Sequence, residues 1–259
     1  MSERSIAVYH DQGTGEFSRG CLIQALAEHF RGRARVRRIY ASEIVRSDEW
    51  HTTTRMLAIP GGADRAYCAA LDGRGNASIS RFIEAGGAFF GVCAGAYYAS
   101  ARIAFEAATA GEITAQRELA LFHGTAFGSL HELAAPYSLD HLHCAAVVRI
   151  HAPGLNRDLH ALYWGGPAFL PDPGADYEPL LRYTTRDRAL AALRLRCGRG
   201  RVVLTGVHAE ITGQQFPIEV SRFDQGSFEH GMQVSATLSQ LEADRKRVFQ
   251  LLVEALAQN

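Results

Sequence analysis

Short apolar runs alternate with amphipathic stretches through the first part of the chain. Ile6 to His10 has the length and composition of a buried strand, and Asp11-Gln12-Gly13-Thr14-Gly15 reads as the loop after it. Phe17, Cys21, Leu22, Ala25, Leu26 and Phe30 then recur at helical spacing and give one apolar face. Val36 to Tyr40 predicts a second strand and Met56-Leu57-Ala58-Ile59 a third, stopped by Pro60-Gly61-Gly62. Asp64 is placed to cap a short helix after that turn. Ile79, Phe82 and Ile83 predict the next helix, ended by Gly86-Gly87. Ala88 to Val92 is an apolar run of the kind a parallel sheet buries on both faces. Strand, crossover and strand in this rhythm predict an α/β fold with a doubly wound sheet.

The second half is richer in strands. Ala145 to Ile150, Leu159 to Trp164, Pro179 to Tyr183, Leu190 to Leu195 and Val202 to Val207 all have strand-like composition. The gaps between several of them are too short for a crossover helix, so part of this half is expected to be antiparallel. Leu238, Leu241, Val248, Leu251, Leu252 and Leu256 predict one closing amphipathic helix. With no internal repeat and no linker long enough to divide it, the chain is expected to form a single domain over 1–259, with 211–259 as a C-terminal extension.

Composition narrows the class. At 259 residues and 47% hydrophobic content the chain is long enough for a sizeable core, and its formal net charge of zero gives no reason to expect a nucleic-acid or anionic-membrane partner. Arg31, Arg33, Arg35, Arg37 and Arg38 cluster, but acidic residues elsewhere balance them, and a solvated face is expected. No apolar run reaches membrane-spanning length, and Met1-Ser2-Glu3-Arg4 leads directly into the first strand without a signal-peptide h-region. Five scattered cysteines, an odd number, suit free thiols in a reducing compartment. The expected location is the cytoplasm.

The chemistry concentrates at strand ends. Gly91-Val92-Cys93-Ala94-Gly95 lies where a buried strand meets a helix, the setting of a nucleophile elbow, whose tight turn requires small flanking residues. A helix opening near Ala94 and running through Tyr97, Tyr98 and Ala99 would aim its N-terminus at the sulfur and favour thiolate. The Ala94 N–H is placed to donate to an oxyanion, and Gly61-Gly62, ending a neighbouring strand, to supply a second donor. His208 follows the strand Arg201-Val202-Val203-Leu204, with Glu210 two positions on to orient its ring. Cys93 as nucleophile, His208 as base then acid, and Glu210 as its orienter form a triad, with Tyr97, Tyr98 and Trp164 as candidate walls of a substrate pocket.

The Gly-Val-Cys-Ala-Gly of 91–95, the Pro-Gly-Gly of 60–62 and the His-Ala-Glu of 208–210 resemble the elbow, oxyanion loop and His-x-Glu of class I glutamine-amidotransferase-like proteins. The string from Gly91 to Ser100, with Tyr163-Trp164-Gly165-Gly166-Pro167-Ala168-Phe169, is similar to one branch. That branch is the domain at the N-terminus of eukaryotic biotin–protein ligases, also found as stand-alone bacterial proteins. The resemblance implies a flavodoxin-like, mostly parallel sheet flanked by helices. It does not imply glutamine as substrate, because Tyr97 stands where glutamine-hydrolysing members carry glutamine.

Two functions fit these residues. One is a cysteine-dependent amidase, amidotransferase-like hydrolase or acyl-transfer enzyme acting on a small carbonyl substrate, with no metal or organic cofactor expected. The other is an inactive small-molecule-binding or regulatory module, including one accessory to a separate biotin ligase or acceptor partner. Gly198-Arg199-Gly200-Arg201 copies a glycine–arginine repeat of biotin-ligase catalytic domains, but its lead into the His208 strand makes it a basic turn. His141-Leu142-His143-Cys144 lacks a further ligand at metal-binding spacing and reads as a loop or edge cluster.

Overall fold

In the computed structural model, residues 4–107, 109–185, 187–223 and 225–257 are described; Met1 to Glu3, most of the stretch expected to lead into the first strand without a signal segment, lie outside them. The first half runs β1 (Ser5–Tyr9), α1 (Glu16–His29), β2 (Val36–Ile39), α2 (Ala41–Arg46), α3 (Trp50–Thr53), β3 (Thr54–Ile59), α4 (Asp64–Leu71), α5 (Arg74–Glu84) and β4 (Ala88–Val92). A one-turn helix, α6 (Ala94–Tyr98), leads straight into β5 (Ser100–Phe105), β6 (Ile113–Gln116) and β7 (Phe122–Gly128). Then come β8 (Ala145–Ala152), β9 (Arg157–Trp164), β10 (Ala168–Pro171), β11 (Glu178–Tyr183), β12 (Leu190–Cys197), β13 (Gly200–Thr205) and β14 (Val207–His208). Three helices close the chain, α7 (Phe216–Val220), α8 (Gln225–Gln240) and α9 (Glu242–Glu254).

Five parallel strands stand in the order β2-β1-β3-β4-β13, the flavodoxin-like order with β13 in the fifth place. Beyond β13 the sheet continues antiparallel through β12, β11, β8, β9 and β14. A side branch, β10-β7-β5-β6, leaves the main path at β12. The sheet is wound on both faces because alternate residues of each strand point to opposite sides. Ile6 and Val8 pack in a cluster with Leu22 and Leu26 of α1 and Val248 and Leu252 of α9. Ala7 and Tyr9 join the opposite cluster, with Tyr67 and Leu71 of α4 and Ile79 and Phe82 of α5. Strands buried on both faces read as continuous apolar runs, which is why β1, β3 and β4 were legible.

Several details differ from the sequence reading. Asp64 is the first residue of α4, not its cap, and its carboxylate pairs with the buried Arg117 at 2.6 Å. The expected strand Val202–Val207 breaks at Gly206, where a Cβ would lie 1.8 Å from the Pro167 carbonyl oxygen. Past that break the chain leaves β4 and pairs with β9 as β14, Val207 opposite Tyr163 and His208 opposite Leu162. The expected closing helix is two, parted at Leu241. Gly198 and Arg199 form the tight turn between β12 and β13, with Gly198 at φ +56°. Among the described residues, no helix is long and apolar enough to cross a membrane.

Candidate active site

Parallel strands deliver their following loops to one edge, so the ends of β1, β3, β4 and β13 meet over a shared crevice. Cys93 follows β4 with φ +51°, a conformation that non-glycine residues adopt only under constraint. Its N–H donates to the Thr205 carbonyl at the end of β13, 2.9 Å away. The flanking glycines allow the close packing: a Cβ on Gly95 would lie 2.2 Å from the Ile59 carbonyl oxygen of β3. The thiol, partly exposed, reaches the Trp164 carbonyl oxygen at 3.8 Å. The helix that follows Cys93, α6, is only one turn long, shorter than the helix expected to run through Ala99.

His208 and Glu210 are both buried, with His208 Nδ1 2.7 Å from Glu210 Oε1. A turn after β14 brings them together, rather than a continuous strand. An ionised carboxylate only accepts, so Nδ1 carries the proton and Nε2 is left for the sulfur. Burial disfavours charge on the ring, yet the Glu210 carboxylate and the Cys93 sulfur, by charge and hydrogen bonding, together raise its pKa well above the usual 6.5. Ser18 of α1, which no sequence signal marked, completes the group. It accepts from the Gly61 N–H at 3.2 Å and donates to Glu210 Oε1 at 3.4 Å.

Gly61 is therefore not a free oxyanion donor, because Ser18 takes its N–H. Its role is close approach: a Cβ there would lie 3.0 Å from His208 Cε1 and 3.5 Å from the Cys93 Cβ. Among the described residues, the Gly62 and Ala94 N–H groups have no hydrogen-bond partner. Gly62 is held against the β1–α1 loop, whose Thr14 it bridges, and its φ of +151° suits glycine.

A cavity of about 570 Å³ opens over Cys93 and His208. Tyr97 and Trp164 line it, together with Phe17, expected only on the apolar face of the first helix, and Phe105, Tyr137 and Phe223, which the sequence had not singled out. Tyr97, Phe105 and Tyr137 form an edge-to-face row with centroids 5.6 and 5.4 Å apart, and the Tyr97 hydroxyl is taken up by the Gly165 carbonyl. Tyr98 turns the other way: wholly buried, it packs edge-on against Tyr67 and donates to Asn76, so it is a core residue and not a pocket wall. From the C-terminal extension, Glu219, Arg222 and Phe223 also reach the cavity. Burial raises the Glu219 carboxyl pKa against the opposing pull of Arg222, 3.2 Å away.

Other marked residues fall outside the cavity. The rings of His141, His143 and His230 lie in series, tilted at 50° to one another, and the Cys144 thiol lies within reach of the Ser138 and His141 carbonyls. Among the described residues, no group of three or more His, Cys, Asp or Glu is placed to hold a metal ion.

A family model described as the biotin–protein ligase N-terminal domain matches residues 4–258. An uncharacterised protein of Chlamydia muridarum is 32% identical over 216 residues, covering 81% of this chain and 82% of that protein. A biotin–protein ligase of Schizosaccharomyces pombe is 28% identical over 196 residues, covering 74% of this chain but only 31% of the ligase. A glutamine amidotransferase from Thermotoga maritima superposes with a TM-score of 0.64 at 9% identity, all of both chains being covered. One from Methylobacillus flagellatus gives 0.56 at 13%, covering 100% of this chain and 97% of that one. At these identities the structural likeness establishes the fold.

Proposed function

The chain belongs to the biotin–protein ligase N-terminal family, within a class I glutamine-amidotransferase-like fold, and from that premise we propose a cysteine-nucleophile hydrolase or acyl-transfer activity. The observation that carries the reading is Cys93 held at positive φ beside the buried His208–Glu210 pair, at the floor of a cavity. In this reading the Cys93 thiolate attacks a substrate carbonyl. The Gly62 and Ala94 N–H groups donate to the oxyanion, and Glu210 holds the His208 ring in place. His208 takes the thiol proton and returns one to the leaving group, and water or an acceptor nucleophile then releases the acyl group from sulfur.

The walls favour a small carbonyl compound with an apolar arm. The rings of Tyr97, Phe105 and Tyr137 offer area while the Tyr97 hydroxyl is already engaged. Tyr97 itself supports the second reading, a binding or regulatory module: it fills the position where glutamine-hydrolysing relatives carry glutamine. The yeast relative adds a separate biotin ligase or its acceptor as a candidate partner.

A Cys93→Ser variant distinguishes the two readings when activated esters and amides with apolar acyl groups are assayed for turnover and binding. The enzyme reading expects turnover to vanish while the fold and binding persist. Equal turnover by variant and wild type, or none by either alongside tight binding, rejects it for the module.

A further inference from the structure

We propose that Ser18 is a positioning residue that couples the acid end of the triad to the oxyanion loop. The inference rests on the triad reading and adds a member to it from an element that carries none of the sequence motifs. Ser18 lies in the first turns of α1, buried at the cavity floor, and its hydroxyl sits between two separate parts of the site. The Gly61 N–H has only a proton to give, so Ser18 Oγ must accept from it. That fixes the direction of the remaining bond: the single hydroxyl proton points to Glu210 Oε1, the same oxygen that accepts from His208 Nδ1.

A continuous relay results, from Gly61 N–H through Ser18 and Glu210 to His208 and so to the sulfur. Its two ends do different work. At one end, tying down the Gly61 N–H fixes the Gly61–Gly62 segment and leaves the next N–H, that of Gly62, for the oxyanion. At the other, a second donor on Oε1 holds the carboxylate in the rotamer that meets His208. The room for this is specific: a Cβ on Gly61 would stand 2.9 Å from Ser18 Oγ, so a glycine at 61 and a small hydroxyl at 18 fit each other.

The test needs no knowledge of the substrate. Wild type, Ser18→Ala, Ser18→Thr, Glu210→Gln and the Ser18→Ala/Glu210→Gln double variant are labelled with iodoacetamide across pH 5 to 9, with Cys93 followed by mass spectrometry and folding by circular dichroism. Ser18→Ala is expected to move the Cys93 rate–pH profile upward, lowering the rate roughly tenfold on its acid limb, a change equivalent to one pK unit of thiolate population. Ser18→Thr, which keeps the hydroxyl, is expected to restore the profile. In the Glu210→Gln background, removing Ser18 is expected to change the rate less than about twofold, because residues acting through one another are not additive. A Ser18→Ala profile superimposable on an activated wild-type profile overturns the role of Ser18 alone. So does a full tenfold effect in the Glu210→Gln background. A wild-type Cys93 no faster than the other cysteines removes the triad, and the role of Ser18 with it.

Discussion

Cys93 shares the chain with four thiols whose surroundings keep them protonated. Burial, with Glu210 and Glu219 adding to it, pushes Cys21 up to about 12, and burial pushes Cys68 up to about 11. Burial also raises Cys144 and Cys197. Cys93 alone lies beside His208, whose pKa burial would lower but the Glu210 carboxylate and the sulfur together raise. A group whose pKa is raised in the folded state keeps its proton as pH climbs past its ordinary value, and in the proposed pair that charge would stand beside the sulfur. The His208 contribution to stability has the matching sign: complete below the ordinary histidine value, and lost as pH rises through the folded-state value. Iodoacetamide at pH 7 is therefore expected to label Cys93 at least about ten times faster than the other four, with His208→Ala removing the advantage. Five similar rates, or a fast Cys93 that survives His208→Ala, would contradict the pairing.

The elbow is an element-scale device, and its glycines carry the constraint. Gly95 lets α6 pack on β3: a Cβ would meet the Ile59 carbonyl oxygen at 2.2 Å, and backbone inside a parallel sheet has little freedom to withdraw. Gly95→Ala is expected to destabilise the protein by at least the ~1–3 kcal/mol typical of overpacking, read as a lower midpoint in urea with unchanged slope. An unchanged midpoint would mean that α6 shifts freely, and the elbow would then hold Cys93 less rigidly than its packing implies. Such glycine constraints are why this part was legible: Gly91, Gly95, Gly61 and Gly62 are forced by local sterics that leave a mark in the sequence. Ser18 leaves none, since a small polar residue on an amphipathic helix looks the same whether it faces solvent or a carboxylate. The side branch was also hidden. The strands β5 and β6 are only half buried, and Ser100-Ala101-Arg102 and Ile113-Thr114-Ala115-Gln116 lack the apolar density that marked β1 or β4.

At the scale of the whole molecule, the ends of the parallel strands gather most of the proposed site and the later elements enclose it. The ends of β1, β3, β4 and β13 bring Gly61, Gly62, Cys93 and the β14 turn together, an arrangement the alternating pattern of the first half predicts. The walls come from elsewhere: Ile103, Phe105 and Ile113 from the side branch, Trp164 from β9, and Phe223 from the C-terminal extension. Trp164 was marked by its place at a strand end, but the contributions of Ile103, Phe105, Ile113 and Phe223 depend on which distant segments pack together, and composition does not encode that. The extension also braces the site from behind, since the buried Arg245 of α9 donates to the Ala209 carbonyl, between His208 and Glu210, while pairing with Glu242. A cavity so walled should select ligands by their apolar arm, and binding can be measured without turnover in Cys93→Ser. A ligand at a hundredfold excess over its Kd stabilises the folded state by about 2.7 kcal/mol, which for a chain of this size raises Tm by roughly 5–10 °C. Amides or esters with aryl or alkyl acyl groups are expected to reach that range at concentrations where glutamine produces no shift. Trp164→Ala, which removes one wall, is expected to reduce the shift by at least half. If glutamine raises Tm as much as the apolar compounds, the aromatic row does not set specificity, and a polar-armed substrate replaces the apolar one.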